Sequence, residues 1–146
     1  MVDTSSWWAI VVDMSTRMLG FELDDGAGKV AVVIGGTKGI GKEIARGLVE
    51  RGVTTIVASR GVDEGEKAAR ELSAIYHRVD IADEASITAL ADFVRERHGR
   101  LDILVNDAAL AISRAPAPEV TLDEMRKVFK VNVLGVVASI HAFMPL

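Results

Sequence analysis

The sequence predicts an α/β domain built on a doubly wound parallel sheet, and three observations support this prediction. Short apolar runs rich in β-branched residues alternate with helical patterns over residues 29–146. The first of these runs leads into a glycine-rich turn that opens a helix. The chain has 146 residues, enough for one domain of ordinary size. Strand–helix alternation of this kind is typical of parallel sheets with right-handed crossovers.

The first strand and the helix after it are the most clearly marked elements. Residues 30–34 form a continuous apolar run, as expected for a strand that is buried on both faces. Residues 42–51 carry apolar side chains on one helical stripe. Gly52 is expected to end that helix. The turn between strand and helix contains Gly35, Gly36, Gly39 and Gly41.

Two further pairs of strand and helix follow. Residues 54–58 and a stretch within residues 75–81 are predicted strands. Asp63 is expected to cap a helix that runs to about residue 72. The next helix has the most regular pattern, with Asp83 as its expected cap. Its apolar side chains at i, i+3, i+4 and i+7 are Ile87, Leu90, Ala91 and Val94.

The last predicted strand, residues 101–105, precedes a proline-containing loop. Thr121 and Glu124 have the spacing of a capping box, so a long apolar helix is expected to begin there and to run to about residue 143. The predicted domain therefore spans residues 29–146. Residues 1–28 do not share the alternation and are interpreted as an N-terminal extension. The apolar runs are too short, or too often interrupted by polar residues, to cross a membrane.

Composition excludes several classes of protein. Apolar residues make up 49% of the chain and charged residues 26%, which excludes a disordered or collagen-like chain. A formal net charge of −4 argues against general binding to nucleic acid or to an anionic membrane. The chain has no cysteine, which suits a reducing cytoplasm and leaves no thiolate for a metal. No metal site is expected, because the histidines lack ligand spacing; they are His77, His98 and His141.

The glycine-rich turn predicts a site for an anion. Glycine lets the backbone turn sharply and approach a ligand closely. The free amides and the dipole at the start of a helix favour a negative group such as a pyrophosphate. Gly35, Gly39 and Gly41 form a G-x-x-x-G-x-G pattern between a strand and a helix, and this context makes the pattern informative. A tight turn that holds no ligand is the alternative interpretation.

The end of the second strand predicts NADP rather than NAD. In dinucleotide-binding folds an acidic residue there binds the 2′-hydroxyl of NAD, whereas an arginine accommodates the 2′-phosphate of NADP. The chain has Ser59 and Arg60 at this position, and Lys38 adds a second positive charge. A charge-assisted hydrogen bond of about 1.5–3 kcal/mol corresponds to a roughly ten- to hundredfold preference for NADP. In the alternative interpretation Arg60 is a surface residue.

Four motifs in this order resemble those of the short-chain dehydrogenase/reductase family, in particular its carbonyl-reductase-like members. The glycine-rich turn is the first, although Ile34 stands where the family usually has threonine. The other three are Asp80-Ile81, Asn106-Asp107-Ala108-Ala109 and Asn132-Val133-Leu134-Gly135. The motif that begins at Asn106 differs at two positions from the Asn-Asn-Ala-Gly of the family. The resemblance covers residues 29–146.

The resemblance implies a Rossmann-type sheet that is truncated after the fourth strand and the following helix, with NADP as cofactor. It also implies that Asp80 binds the adenine amino group and that Asn132 belongs to the catalytic group. In the alternative interpretations Asp80 caps the following turn, Asn106 ties neighbouring strands together, and Asn132 is a satisfied core amide. The implied cofactor-binding residues are Gly35, Thr37, Lys38, Gly39, Ile40, Gly41, Ser59, Arg60, Asp80, Ile81, Asn106 and Ala108.

The sequence lacks the proton-transfer pair of that family. There, a tyrosine exchanges the carbonyl proton, a lysine four residues later lowers the pKa of the tyrosine, and a serine orients the substrate. The only tyrosine of this chain is Tyr76, and Asp80 stands four residues after it. Since a general acid contributes about 10²–10⁴-fold, the chain alone is expected to have little redox activity.

Three functions remain open on the sequence. The resemblance implies an NADP(H)-dependent oxidoreductase that acts on small carbonyl or alcohol substrates. The alternatives are a complete small protein with a non-redox enzymatic or subunit role, and a nucleotide-binding or interaction module.

The fourth strand and the last helix predict association with another chain. In the implied strand order 3-2-1-4 the fourth strand is an apolar edge, and such edges recruit partners. Another chain, as a homo-oligomer or a partner at this edge, or a strand from residues 8–12 is expected to cover it, unless the chain is the front part of a longer protein. By resemblance, the last helix packs against another subunit.

Overall fold

A computed structural model describes residues 26–111 and 119–146 of the chain. The predicted strand at residues 8–12, residues 1–25 of the predicted extension and most of the predicted proline-containing loop lie outside this description. Four strands alternate with helices, and the last two helices are joined by a π-helical turn, Lys130–Gly135. The elements are β1 (Val30–Ile34), α1 (Gly39–Glu50), β2 (Thr54–Ser59), α2 (Val62–Leu72), β3 (Ile75–Arg78), α3 (Glu84–His98), β4 (Ile103–Asn106), α4 (Leu122–Phe129) and α5 (Val136–Phe143).

The four strands form one parallel sheet in the order β3-β2-β1-β4, which confirms the predicted fold class. The chain first moves outward from β1 to β3 and then returns to the other side of β1. The direction of winding therefore reverses between β1 and β4, whose last residues, Ile34 and Asn106, are paired. Open α/β sheets bind ligands outside the carboxyl ends of the strands at such a reversal.

Strand β1 is buried on both faces, which explains its continuous apolar run. On one face, Val32 belongs to a core formed with α3 and α5, which includes Leu90 and Phe143. On the other face, Val33 belongs to a core formed with α1 and α2, which includes Leu48 and Leu72. The helices on both sides thus hold the sheet between two apolar layers and leave its carboxyl edge open.

Two of the predicted helix starts are confirmed by their hydrogen bonds. The side chain of Asp83 accepts a bond from the backbone of Ala85 at 3.1 Å, and the four predicted apolar residues of α3 are all buried. At α4, the Thr121 hydroxyl accepts a bond from the Glu124 amide at 3.2 Å. The Glu124 carboxylate in turn accepts one from the Thr121 amide at 2.9 Å, which completes the capping box.

The predicted cap of α2 is wrong. That helix begins at Val62 with Gly61 as its N-cap, so Asp63 lies within its first turn. A carboxylate in the first turn interacts favourably with the positive end of the helix dipole. An acidic residue suits both the N-cap and the first turn of a helix, so its identity alone does not tell which of the two positions it takes.

Strand β4 is shifted by one or two residues from its predicted bounds. The Asp102 carboxylate accepts a hydrogen bond from the Val30 amide at 2.8 Å, and the Asp102 amide donates to the Val30 carbonyl at 2.9 Å. Because a side chain takes the first amide of β1, regular pairing begins one residue later, between Ala31 and Ile103. The same carboxylate contacts Arg100.

The predicted long last helix is interrupted by the π-helical turn, which contains Asn132. Beside it, Gly135 packs so closely against Ile81 that an added Cβ would overlap the Ile81 carbonyl oxygen. Such turns add a residue to a helix and are frequent at functional sites. Within the described residues no helix is long and apolar enough to span a bilayer.

Candidate functional site

An open cavity of about 660 Å³ lies at the carboxyl ends of the strands. Sites for small molecules usually measure about 300–1,000 Å³. The cavity wall comes from the turn after β1, the segments after β2 and β4, and the residues that follow β3. Of the predicted cofactor residues, it contains Gly35, Thr37, Lys38, Gly39, Ile40, Ser59, Arg60, Asp80, Ile81 and Ala108.

Two glycines shape the floor of this cavity. Gly35 has a φ of 92°, and a Cβ at this position would lie 2.6 Å from the amide nitrogen of Ala108. The segment after β4 therefore passes directly over Gly35, which only glycine allows. Gly39 has a φ of 57°, and no atom lies within 4 Å of where its Cβ would be. This part of the turn faces open space.

Helix α1 begins at the cavity without a side-chain cap. Its N-cap residue, Lys38, makes no capping hydrogen bond. The Gly41 amide donates to the Asp107 carboxylate at 2.9 Å. The amides of Gly39 and Ile40 have no partner among the described residues. Two free amides and the positive end of a helix dipole thus lie at the cavity, an arrangement that suits an anionic group.

Two basic side chains also line the cavity. Lys38 comes from the turn after β1, and Arg60 follows β2. Both are exposed, and neither forms an ion pair within residues 26–111 and 119–146. Each can therefore reach a phosphate group without first leaving another partner.

The backbone that carries Arg60 is held by Tyr76, a contact that the sequence did not reveal. The Tyr76 hydroxyl lies 3.0 Å from the Ser59 carbonyl oxygen and 3.1 Å from that of Gly61. The ring packs so closely on Gly65 that a Cβ there would overlap it. The hydroxyl of this tyrosine thus bonds the backbone at the end of β2, while its ring packs on α2.

Three acidic residues also line the cavity, and sequence reasoning identified only Asp80 among them. The Asp80 carboxylate accepts a bond from the Ala82 amide at 2.9 Å, while its own amide donates to the Ser86 hydroxyl at 2.9 Å. Asp80 thus caps the following turn, as in the alternative interpretation, and it also borders the cavity. The two residues that were missed are Glu64 and Asp107.

Three predicted residues lie beside the cavity rather than in its wall: Gly41, Asn106 and Asn132. The Asn106 side-chain oxygen accepts a bond from the buried Ser139 hydroxyl at 2.8 Å, which ties β4 to α5. The Asn132 side chain bonds both backbone groups of Leu110, at 2.8 and 2.9 Å. The Asn106 side chain thus bonds to a helix rather than to a neighbouring strand. Asn132 is half-buried, and both of its polar atoms have partners.

Together, the strand order and the position of the cavity define a Rossmann-type α/β protein whose first helix starts at the cavity. The model of the family described as short chain dehydrogenase matches residues 29–146, and the chain belongs to that family. Within the described residues no group of histidine, aspartate or glutamate side chains is arranged to hold a metal ion.

Several known proteins are similar to this chain. The NADP-dependent (R)-specific alcohol dehydrogenase of Lentilactobacillus kefiri is 40% identical over 113 residues, which cover 75% of this chain and 44% of that enzyme. A metagenomic short-chain oxidoreductase, solved in complex with NADP, is 31% identical with a TM-score of 0.78, covering 84% of this chain and 57% of that one. The RhlG/NADP active-site complex of Pseudomonas aeruginosa has 34% identity and a TM-score of 0.78, covering 82% and 48%. The chain thus spans about half the length of these relatives.

Proposed function

We propose that this chain is the NADP(H)-binding part of a short-chain oxidoreductase that interconverts small carbonyl and alcohol compounds. The observation that carries the proposal is the cavity at the reversal of winding, where a helix start with two free amides lies beside Lys38 and Arg60. The two similar solved structures named above, each described with NADP, support this assignment.

The residues of the cavity fit the parts of NADP. Lys38 and Arg60 would hold the 2′-phosphate by charge-assisted hydrogen bonds. The free amides of Gly39 and Ile40 would hold the diphosphate, and Gly35 keeps the backbone low enough for this approach. Asp80 would accept a hydrogen bond from the adenine amino group beside Ile81. When bound, the nicotinamide supplies or accepts the hydride.

Asn106 and Asn132 support this site through the backbone. Asn132 orders the segment after β4, because both of its polar atoms are bonded to Leu110, a residue of the cavity wall. Asn106 fixes the end of β4 against α5. Ala108, between these segments, would contact the cofactor. In this proposal Asn132 positions the wall of the active site.

The direct test is a titration of the chain with NADPH and NADH, followed by cofactor fluorescence. We expect NADPH to bind at least several-fold more tightly, and Arg60→Ala to reduce the difference. Arg70→Ala is the matched control, because Arg70 is exposed, carries the same charge and lies outside the cavity wall. Equal affinity for both cofactors would refute the NADP assignment. Binding of neither would favour the interaction module or the non-redox protein.

We also propose that the chain as given has little reductase activity. Its only tyrosine, Tyr76, is engaged by two backbone carbonyl groups, so it is not placed to exchange a proton with a substrate. The test measures NADPH oxidation with a panel of aldehydes and ketones. Turnover well above the background would contradict the proposal and would identify a proton donor other than tyrosine.

A further proposal concerns self-association. Several apolar side chains of α4, α5 and the turn between them are exposed, and β4 pairs only with β1 among the described strands. We expect two copies to bury this helical face, which includes Phe129, Leu134, Val137, Ile140 and Met144. Light scattering after gel filtration tests this. Leu134→Glu should shift a dimer toward monomer, and a wild-type chain that is monomeric throughout would refute the proposal.

A further inference from the structure

The carboxylate of Asp107, a residue of the cavity wall, bonds to the start of α1, one amide beyond the two that would hold the cofactor diphosphate. Asp107 is the first residue after β4, and its backbone amide donates to the Ile34 carbonyl at 2.8 Å. Its side chain accepts a hydrogen bond from Gly41 at 2.9 Å. A Cβ on Gly41 would lie 2.7 Å from the same carboxylate oxygen. The position of the negative charge is therefore fixed by the backbone on both sides.

This contact has two opposite effects. A carboxylate at a helix start satisfies an amide and interacts favourably with the dipole, as a capping residue does. Since Lys38 provides no cap, Asp107 supplies this stabilisation for α1. The same helix end attracts anionic ligands, and a negative charge already present there repels them. What stabilises the helix thus weakens the site for a phosphate.

The other acidic residues of the cavity do not share this position. Asp80 is bonded to the Ala82 amide in the turn before α3, and Glu64 lies in the first turn of α2. Asp107 is the one of these three that bonds to an amide of α1. It also departs from the asparagine that stands at this place in the motif of the family. An asparagine would offer the Gly41 amide an oxygen without a charge.

We propose that Asp107 sets the affinity of the site for the dinucleotide diphosphate, lowering it below what the free amides alone would give. This inference rests on the proposed function. It predicts that the negative charge, rather than the hydrogen bond, limits cofactor binding.

The test compares Asp107→Asn with the wild-type chain, using NADPH, NADH and inorganic pyrophosphate as probes. Asparagine keeps an acceptor for Gly41 and removes the charge. We expect the affinity for all three probes to rise about three- to tenfold, as removal of a nearby like charge predicts. The gain should shrink at about 0.5 M salt, where charges are screened within a few ångströms. Asp63→Asn is the matched control for net charge, because Asp63 is exposed and outside the cavity wall.

Two outcomes separate this inference from the proposed function. If neither cofactor binds any variant, the proposed function fails. A tighter binding of pyrophosphate by Asp107→Asn alone would still support the role of the carboxylate. If Asp107→Asn and Asp63→Asn have the same affinities, or if the gain does not depend on salt, the inference is overturned. Asp107→Ala should lower the melting temperature more than Asp107→Asn, because it also removes the acceptor of the Gly41 amide.

Discussion

The side chain of Asn132 binds Leu110 through both of its polar atoms: its oxygen accepts from the Leu110 amide and its NH₂ group donates to the Leu110 carbonyl. A single amide thus replaces the two hydrogen bonds that a neighbouring strand would give to this stretch of backbone. The segment after β4 has its place in the cavity wall because of a residue 22 positions further along the chain.

Replacement of Asn132 should therefore lower the stability of the fold. Asn132→Ala leaves two backbone groups of Leu110 without partners, which should cost about 1–3 kcal/mol of unfolding free energy. Asn132→Asp should cost at least as much, because a carboxylate oxygen would then face the Leu110 carbonyl. Urea denaturation measures both. An unchanged midpoint for Asn132→Asp would show that the bond to the carbonyl contributes nothing.

The close approach at Gly35 can be tested against Gly28, a second glycine with a positive φ. Gly28 has a φ of 81° and no neighbour within 4 Å of its Cβ position, whereas Gly35 would meet the backbone of Ala108. Gly28→Ala should cost only the left-handed strain of about 1–2 kcal/mol. Gly35→Ala should add about 1–3 kcal/mol from overlap. Thermal denaturation measures the stability of both variants. If Gly28→Ala and Gly35→Ala lose the same stability, Gly35 is not packed against Ala108.

The carboxylate of Asp102 should make the chain less stable in acid. The hydrogen bond from Arg100 and then the bond from the Val30 amide lower the pKa of Asp102 below its usual value. The resulting stabilisation is fully present above the unfolded-state pKa of about 3.9. It is lost as the pH falls through the lower folded-state pKa.

Asp102→Asn tests this dependence. The variant should be less stable than the wild type at pH 7, and the difference should shrink as the pH is lowered below about 4. Urea denaturation at several pH values measures the change. Asp92→Asn is a suitable control, since Asp92 is paired with an arginine on the surface of α3 without a contact to β1. A constant difference between wild type and Asp102→Asn would argue against the pKa shift.

Loss of the Tyr76 hydroxyl should weaken the preference for NADPH. Tyr76→Phe keeps the ring on Gly65 but removes the bonds to the carbonyl oxygens on both sides of Arg60. We expect a loss of about 0.5–1.5 kcal/mol in stability and a smaller ratio of NADPH to NADH affinity. Fluorescence titration checks the ratio. If the stability falls and the ratio does not, the backbone after β2 does not position Arg60.

Local patterns in the sequence predicted the parts of this structure that depend on neighbouring residues. The apolar run of β1, the cap at Asp83 and the box at Thr121 each need only a few adjacent positions, and the structure confirms them. The same holds for the glycine-rich turn, whose spacing and place between strand and helix are visible in the sequence.

Contacts between distant residues could not be predicted in this way. Asp107 and Gly41 are 66 residues apart, and which acidic residue meets the helix start depends on how β4 packs beside β1. Glu64 lines the cavity only because α2 starts next to the end of β2. The sequence also did not predict the π-helical turn, because the apolar and polar residues of this segment fit a regular helix equally well. Two of its residues make contacts with distant parts of the chain: Gly135 packs on Ile81, and Asn132 bonds to Leu110.

That turn also decides what lies beyond it. A regular α-helix advances about 100° per residue, so deletion of one residue from Lys130–Gly135 would rotate all of α5 about its own axis by that angle. Ser139 and Phe143, now buried, would swing toward water, and the serine would lose Asn106. A single surplus residue in the middle of a helix thus determines which side of its second half meets the sheet.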